Sequence, residues 1–243
     1  MIIVTGGLGF IGYNLIKALK KNVDFDEIIC FDNLSSKTIN HDYFDESVKV
    51  IVDELMNIND HKEELKNIDI IFHLAAKGNV IDSIKKPIDN FNSNVFETIR
   101  LLEFVRANQI KKLIFSSTGG AIMGNLKPPV NEKNIPSPIS PYGASKLACE
   151  AYLRAYSASY DIKCACLRFG NVYGPGSLGK ESVVAKFFKR ALAGLPVEIY
   201  GDGRQTRDYI YLYDLIDAIE RASNTDLSGS NIFQIATSKE TSL

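Results

Sequence analysis

Residues 6–12 read Gly-Gly-Leu-Gly-Phe-Ile-Gly, directly after the apolar run Ile2–Thr5 and directly before a stretch with Leu15, Ile16 and Leu19 on one helical face. Few features restrict a fold so tightly. Glycine permits the strained turn from strand to helix and lets the backbone approach another group closely. Two spacings are satisfied together, Gly7-x-Gly9-x-x-Gly12 and Gly6-x-x-Gly9-x-x-Gly12. The helix that follows presents free N–H groups and a positive dipole end, which suits a pyrophosphate. A second apolar run, Glu27–Asp32, ends in an acid 20 residues past Gly12. Strand, glycine turn, helix and acid-terminated strand together predict a dinucleotide-binding βαβ unit, with Gly6, Gly9, Phe10, Ile11 and Gly12 at the pyrophosphate. Asp32 can accept hydrogen bonds from ribose hydroxyls and would repel a 2′-phosphate. No arginine follows in Asn33-Leu34-Ser35-Ser36, so the expected cofactor is NAD rather than NADP.

The pattern continues along the chain. Strands are expected at Ile2–Thr5, Glu27–Asp32, Val48–Asp53, Asp69–Leu74, Leu113–Ser117 and Lys163–Phe169. Helices are expected near Gly9–Lys21, His61–Lys66, Pro87–Asn108 and Pro141–Tyr160. The strands are apolar on both faces, and alternation of β and α elements predicts a doubly wound, parallel Rossmann sheet. After Gly170 the texture becomes turn-rich. A helix near Glu181–Gly194, short strands at Val197–Tyr200 and Asp208–Tyr211, and a helix over Asp214–Ala222 read as a smaller C-terminal lobe. Ile232–Ala236 is strand-like, and Thr237–Ser242 reads as the start of another helix. The expected division is residues 1–170 for the cofactor and residues 171–243 for the substrate.

Composition excludes several classes. With 28 basic and 29 acidic residues the net charge is −1, which points to neither nucleic acid nor an anionic membrane. No apolar run reaches a bilayer-spanning length and no signal peptide is evident, so a soluble cytoplasmic protein is expected. Cys30, Cys149, Cys164 and Cys166 lack the Cys-x-x-Cys spacing of zinc or redox sites and read as buried, reduced thiols. His41, His61 and His73 are scattered, so no metal site is expected.

The second constellation is Tyr142-Gly-Ala-Ser-Lys146, which opens a helix after Ser140-Pro141. Residues four apart share a helix face, so the Lys146 ammonium can stand near the Tyr142 phenol and favour its ionised form. A tyrosine so tuned is a usable general base. The strand Leu113–Ser117 ends in Ser116-Ser117-Thr118-Gly119-Gly120. Ligands in such sheets bind at the carboxyl ends of strands, where a hydroxyl can hold a reacting oxygen. A plain Ser/Thr turn stays open as the alternative for Ser116.

With these stretches the chain resembles the extended short-chain dehydrogenases/reductases, in the nucleotide-sugar epimerase/dehydratase family, and most of all the UDP-glucose 4-epimerase group. The resemblance also rests on His73-Leu-Ala-Ala76, Leu167-Arg-Phe-Gly-Asn-Val-Tyr-Gly-Pro175 and Tyr200-Gly-Asp-Gly-Arg-Gln-Thr-Arg-Asp-Tyr209. It implies that Asn33, Leu34 and Ser35 lie along the cofactor beside Asp32. Asp53 and Glu54 are implied near the adenine, and Leu74, Ala75, Ala76, Lys77, Asn94 and Ser116 along the cofactor. It implies that Lys146 binds the nicotinamide ribose, that Thr118 assists Tyr142, and that Phe169 and Val172 approach the nicotinamide. Asn171 and Arg207 are implied at the diphosphate of a UDP-hexose, and an arginine suits phosphate recognition there. The resemblance further implies a homodimer through a four-helix bundle of the helices near Pro87–Asn108 and Pro141–Tyr160. Relatives usually run on beyond Leu243, so it implies a partial substrate lobe.

Family members share a first step in which the tyrosine takes the proton of the sugar 4-hydroxyl while NAD oxidises C4. Dehydratases have acids after the threonine. Here Gly119-Gly120 follows Thr118, so the general acid and base of elimination are missing. Epimerisation at C4 is the expected reaction. A dehydratase or 4-ketoreductase, or a non-catalytic NAD sensor, are the alternatives. Met123 stands where many relatives have tyrosine, which affects substrate contacts and not the base.

Overall fold

Runs rich in isoleucine and valine with no polar face need cover on both sides of the sheet they join. In the computed structural model, which describes residues 1–21, 27–35, 44–199 and 201–242, these runs form β1 (Ile2–Thr5), β2 (Ile28–Asp32), β3 (Val48–Val52), β4 (Ile70–His73), β5 (Lys112–Thr118) and β6 (Lys163–Phe169). Four strands follow: β7 (Asn171–Tyr173), β8 (Thr206–Tyr211), β9 (Ser230–Ile235) and β10 (Glu240–Ser242). The main sheet has seven strands in the order β3-β2-β1-β4-β5-β6-β9, and every pair is parallel. The order reverses between β1 and β4, which is where such sheets open a crevice. A second sheet, β10-β8-β7, stands apart from it.

The helices are α1 (Phe10–Leu19), α2 (Val80–Lys85), α3 (Pro87–Phe91), α4 (Glu97–Ala107), α5 (Gly119–Met123), α6 (Pro141–Tyr160), α7 (Val183–Leu192) and α8 (Leu212–Asn224). One face of the main sheet packs on α1 and α8 through Leu15, Ile16, Leu19, Leu215, Ile216 and Ile219. The other packs on α4 and α6 through Leu101, Leu102, Val105, Cys149 and Leu153. Both cores have fully buried strand residues on their side of the sheet, as two-sided cover requires. Of the chain beyond Gly170, α8 and β9 join the main layer, while β7, α7, β8 and β10 build the small lobe. Among the described residues no helix is long and apolar enough to cross a membrane.

Several local expectations are corrected. The expected helix at His61–Lys66 is instead a 3₁₀ helix over Leu55–His61. Asp53 lies just before it and takes hydrogen bonds from Glu54 N, Asn57 Nδ2 and His61 Nε2, which closes the tight turns over that span. The expected helix Pro87–Asn108 begins and ends in α-geometry, but Asn92–Phe96 is a π-helical turn. Residues 197–199 form no strand, and Tyr200 lies outside the described residues. The expected helix at Thr237–Ser242 is strand β10, antiparallel to β8. The Asp208 carboxylate accepts from Thr237 N, Thr237 Oγ1 and Ser238 N, which turns the chain back along β8.

One buried ion pair clamps α6 to the sheet. Arg168 on β6 donates Nε and Nη2 to Glu150 Oε1 and Oε2 at 2.9 and 2.7 Å, and both side chains are 3% exposed. Ser117 Oγ adds a 2.6 Å bond to Glu150 Oε1. Removing one charge strands the other in the interior. Glu150→Gln is therefore expected to cost about 3–5 kcal/mol of folding stability. Urea unfolding of the variant beside the parent checks it; a loss under about 1 kcal/mol would contradict a fully buried pair.

Candidate active site

The crevice begins at the glycine turn. Gly6 has φ +68°, and a Cβ there would lie 2.8 Å from both N and Cα of Ala75. A Cβ on Gly12 would strike the Gly6 carbonyl. Gly9 N donates to Gly6 O at 3.1 Å, and Gly9 is the N-cap of α1, whose first turn has neither a side-chain cap nor an acid. The positive end of α1 thus faces the crevice with nothing of its own to neutralise it. The shape and polarity fit a dinucleotide pyrophosphate.

Asp32 closes the β2 end. Its Oδ2 accepts from Leu8 N at 2.9 Å and its Oδ1 from Leu34 N at 2.8 Å. These bonds aim the carboxylate and leave each oxygen a second lone pair for ribose hydroxyls. Asn33 donates Nδ2 to Glu54 Oε2 at 2.8 Å, and Ser35 N donates to Asn33 Oδ1. Asp53 is committed to protein groups, and the bond from His61 holds its carboxyl below the ordinary range. Asp53 is therefore a brace of the turns that follow β3.

A chain of neutral polar groups runs from β1 to α6. Thr5 Oγ1 lies 2.7 Å from His73 Nδ1, and His73 Nε2 lies 2.9 Å from Thr98 Oγ1. Thr98 Oγ1 donates to the Asn94 carbonyl, so Thr98 must accept from His73 Nε2–H, and His73 Nδ1 must accept from Thr5. Asn94 sits in the π-helical turn. Its Oδ1 accepts from Lys77 N at 2.8 Å, and its Nδ2 donates to Lys77 O at 3.2 Å and Ser145 Oγ at 3.0 Å. The loop over Leu74–Lys77 is thus fixed to α6 through one asparagine. π-turns often occur where a side chain must be aimed this way.

Helix α6 carries the second constellation. Ser140 caps it, accepting from Gly143 N, and Pro141 occupies its first turn. Ser83 on α2 accepts from Tyr142 N at 3.2 Å. Thr118, at the end of β5, stands close enough to the Tyr142 phenol to favour its ionised form. Lys146 does not behave as expected. Its ammonium donates to the Ser116 carbonyl at 2.8 Å and stands 4.5 Å from the Phe115 ring centroid. Burial pushes the Tyr142 phenol up to about 12, against the opposing influence of Thr118, and pulls Lys146 down to about 8. The expected lowering of the phenol by Lys146 is therefore not a property of the protein alone. Ser116 donates its own hydroxyl to His73 O at 3.1 Å, so its carbonyl, not its side chain, serves the site.

The lobe holds a cavity of about 480 Å³ lined by Lys186, Phe187, Lys189, Arg190, Arg207 and Tyr209, among others. Of these, the sequence reading singled out Arg207 alone. The signal for the others is the spacing of Lys186, Lys189 and Arg190, which share one face of α7. The Tyr209 hydroxyl is buried with no hydrogen-bond partner among the described residues. Asn171 lies beside Tyr209 across the β7–β8 pair, but its Nδ2 is given to Asp208 O at 3.2 Å. Gly78 was missed: a Cβ there would sit 3.8 Å from the Tyr142 hydroxyl, so the cofactor-side loop borders that group. Phe169 ends β6 and is buried; Val172, one strand on, is half-buried against the same core.

His73 has a measurable consequence. Burial lowers it from an ordinary 6.5 to about 3. The folded chain stays neutral there while the unfolded chain takes a proton below 6.5, so this residue's contribution is lost as pH falls from 6.5 toward 3. Parent protein is expected to lose about 1 kcal/mol more per pH unit than His73→Asn in that window. Urea unfolding at pH 7, 6 and 5 gives the difference; parallel curves would refute it.

The comparisons with known proteins agree with this geometry. Residues 2–236 match the family described as NAD dependent epimerase/dehydratase. The UDP-glucose 4-epimerase of Mycolicibacterium smegmatis is 36% identical over 250 residues, spanning 99% of this chain and 78% of that one. The structure of a UDP-glucose 4-epimerase with UDP-glucose from Thermotoga maritima superposes with a TM-score of 0.92 at 37% identity, over 99% of this chain and 78% of that one. That of the Thermus thermophilus UDP-glucose 4-epimerase in complex with NAD gives 0.87 at 34%, over 99% and 79%.

Proposed function

Because the chain belongs to the NAD dependent epimerase/dehydratase family, we propose that it is an NAD-dependent isomerase that inverts C4 of a UDP-hexose, interconverting UDP-glucose and UDP-galactose. The observation that carries the reading is Tyr142, set near Thr118 at the carboxyl end of β5 and bordered by Gly78, beside a crevice shaped for a dinucleotide. Residues 1–170 supply the cofactor site and these groups; within 171–243, β7, α7, β8 and β10 supply the nucleotide-sugar lobe, while α8 and β9 complete the main layer.

When bound, NAD supplies reversible oxidation at the sugar C4 and a positive ring charge beside the phenol. Tyr142 takes the proton of the 4-hydroxyl and later returns it. Its pKa, pushed up to about 12 in the protein alone, makes it a strong base that needs a nearby cation to ionise at neutral pH. Thr118 orients the same hydroxyl. Lys146 is held on Ser116 O, from where its charge serves the nicotinamide ribose and the phenol once a ligand fills the crevice. Phe169 and Val172 would flank the nicotinamide. Arg207 and Arg190 offer guanidinium groups to the diphosphate in a cavity where Glu181 pairs with Lys186 and Lys189, and Phe187 and Tyr209 give the base an aromatic wall. The site would have to let the 4-keto sugar turn so that bound NAD could serve either face of C4 without net consumption. Gly119-Gly120 after Thr118 leaves no acid to expel water, which favours this cycle over a dehydratase. An NAD sensor would have no use for Thr118, Tyr142 and Lys146.

Tyr142→Phe is expected to keep NAD binding and lose about 10²–10⁴-fold in turnover of UDP-glucose. A rate near that of the parent would refute the assigned base. Absence of any UDP-galactose from NAD-loaded parent protein would refute the substrate.

The reading extends to a homodimer through a four-helix bundle. Ile81, Ile84 and Ile88, at 64, 61 and 70% exposure, with Phe91 and Tyr152, leave large apolar groups bare on α2, α3 and α6. Such a patch favours a covering partner. Sedimentation is expected to give a dimer that Ile84→Asp with Ile88→Asp converts to monomer; a monomeric parent would refute it. The four free, buried thiols suit a reducing cytoplasm.

A further inference from the structure

We propose that Lys180 is a pyrophosphate-binding residue of the dinucleotide site, its ammonium reaching over the Phe10 ring toward the anion held at the N-terminus of α1. The inference rests on the NAD reading above and adds a residue from the substrate-side segment to the cofactor's own cradle.

The segment 174–180 lies on the first turn of α1. Asn14 Nδ2 donates to Phe10 O at 2.9 Å and to Pro175 O at 3.4 Å, tying that turn to the segment. A Cβ on Gly176 would lie 3.7 Å from Phe10 Cδ2, so the chain rests against the ring. A 3₁₀ turn over Ser177–Gly179, closed by Lys180 N donating to Ser177 O at 2.9 Å, then brings Lys180 back. Its Nζ stands 5.2 Å from the Phe10 ring centroid. Phe10 is the first residue of α1.

The charge balance at this point is one-sided. Glu181, the adjacent acid, is turned to Lys186 and Lys189 at 3.1 and 3.9 Å. Among the described residues Lys180 has no carboxylate partner, and the first turn of α1 has no acid. A cation set against a positive helix end is unfavourable unless an anion lies between them. Lys180 is solvent-exposed, yet desolvation holds its amine below the ordinary lysine range. An amine both reachable by solvent and walled by protein lies in a cleft. A lysine there acts as a compact point charge for phosphate.

The test is NAD binding itself, by calorimetric titration and by NAD retained per purified chain. Lys180→Gln and Lys180→Met are expected to raise the NAD Kd by about 5–20-fold, the loss of one charge-assisted contact in a partly solvated site. Lys180→Arg is expected to restore most of it. The parent should lose NAD affinity more steeply with salt than Lys180→Gln. Lys17→Gln, at the far end of the same helix, should stay within about twofold. Melting without NAD should fall only by the small contribution of the exposed Lys180–Phe10 contact, the same in Lys180→Gln and Lys180→Met. Unchanged NAD affinity in Lys180→Gln, or a loss confined to a parallel titration with UDP, overturns the proposal. Failure of the parent to bind NAD would instead overturn the cofactor reading beneath it.

Discussion

The carboxyl ends of β1 and β4 approach so closely that Gly6 has no room for a Cβ beside Ala75. The site depends on that contact. The chain leaves β1 toward β2 and β3 and returns to β4, so the loops after β1 and β4 part at this point and open a crevice between them. The close approach brings the bare N-terminus of α1 and the loop over Leu74–Lys77 to the same place. Gly78, at the end of that loop, borders the Tyr142 hydroxyl. The loop after β4 and the Tyr142 hydroxyl are thus neighbours beside the crevice.

Two buried polar devices hold this arrangement, and they differ in kind. The line from Thr5 through His73 and Thr98 to Asn94 is neutral, with each donor matched to an acceptor, so it bears burial without a charge to desolvate. The clamp of Glu150, Arg168 and Ser117 is ionic and is sustained by bidentate geometry. The first fixes the cofactor loop, and the second fixes the helix that bears Tyr142. Lys146 lies between them, its ammonium desolvated but satisfied by a backbone carbonyl and an aromatic face.

Much of this was legible in the residues. The glycine spacing, Asp32 and six apolar strands are local patterns, and local patterns survive folding when they agree with burial. The errors fall where a distant or capping side chain decided the backbone. Thr237–Ser242 has helix-starting residues, but Asp208, some thirty positions earlier, takes their N–H groups and lays them along β8. Asp53 selects a 3₁₀ helix just after itself rather than an α-helix beyond His61. Residues 197–199 are rich in strand formers, yet they border the lobe cavity without pairing.

By itself the sequence determined the parallel sheet, the dinucleotide turn and the preference for NAD, since each rests on residue types at short, fixed separations. Tertiary structure alone decided where the charges point. The Lys146 ammonium lies on Ser116 O rather than on the phenol four residues away, because a buried ammonium takes the nearest fixed acceptor. Lys180 meets Phe10 across 170 residues of sequence, through packing that no local spacing encodes.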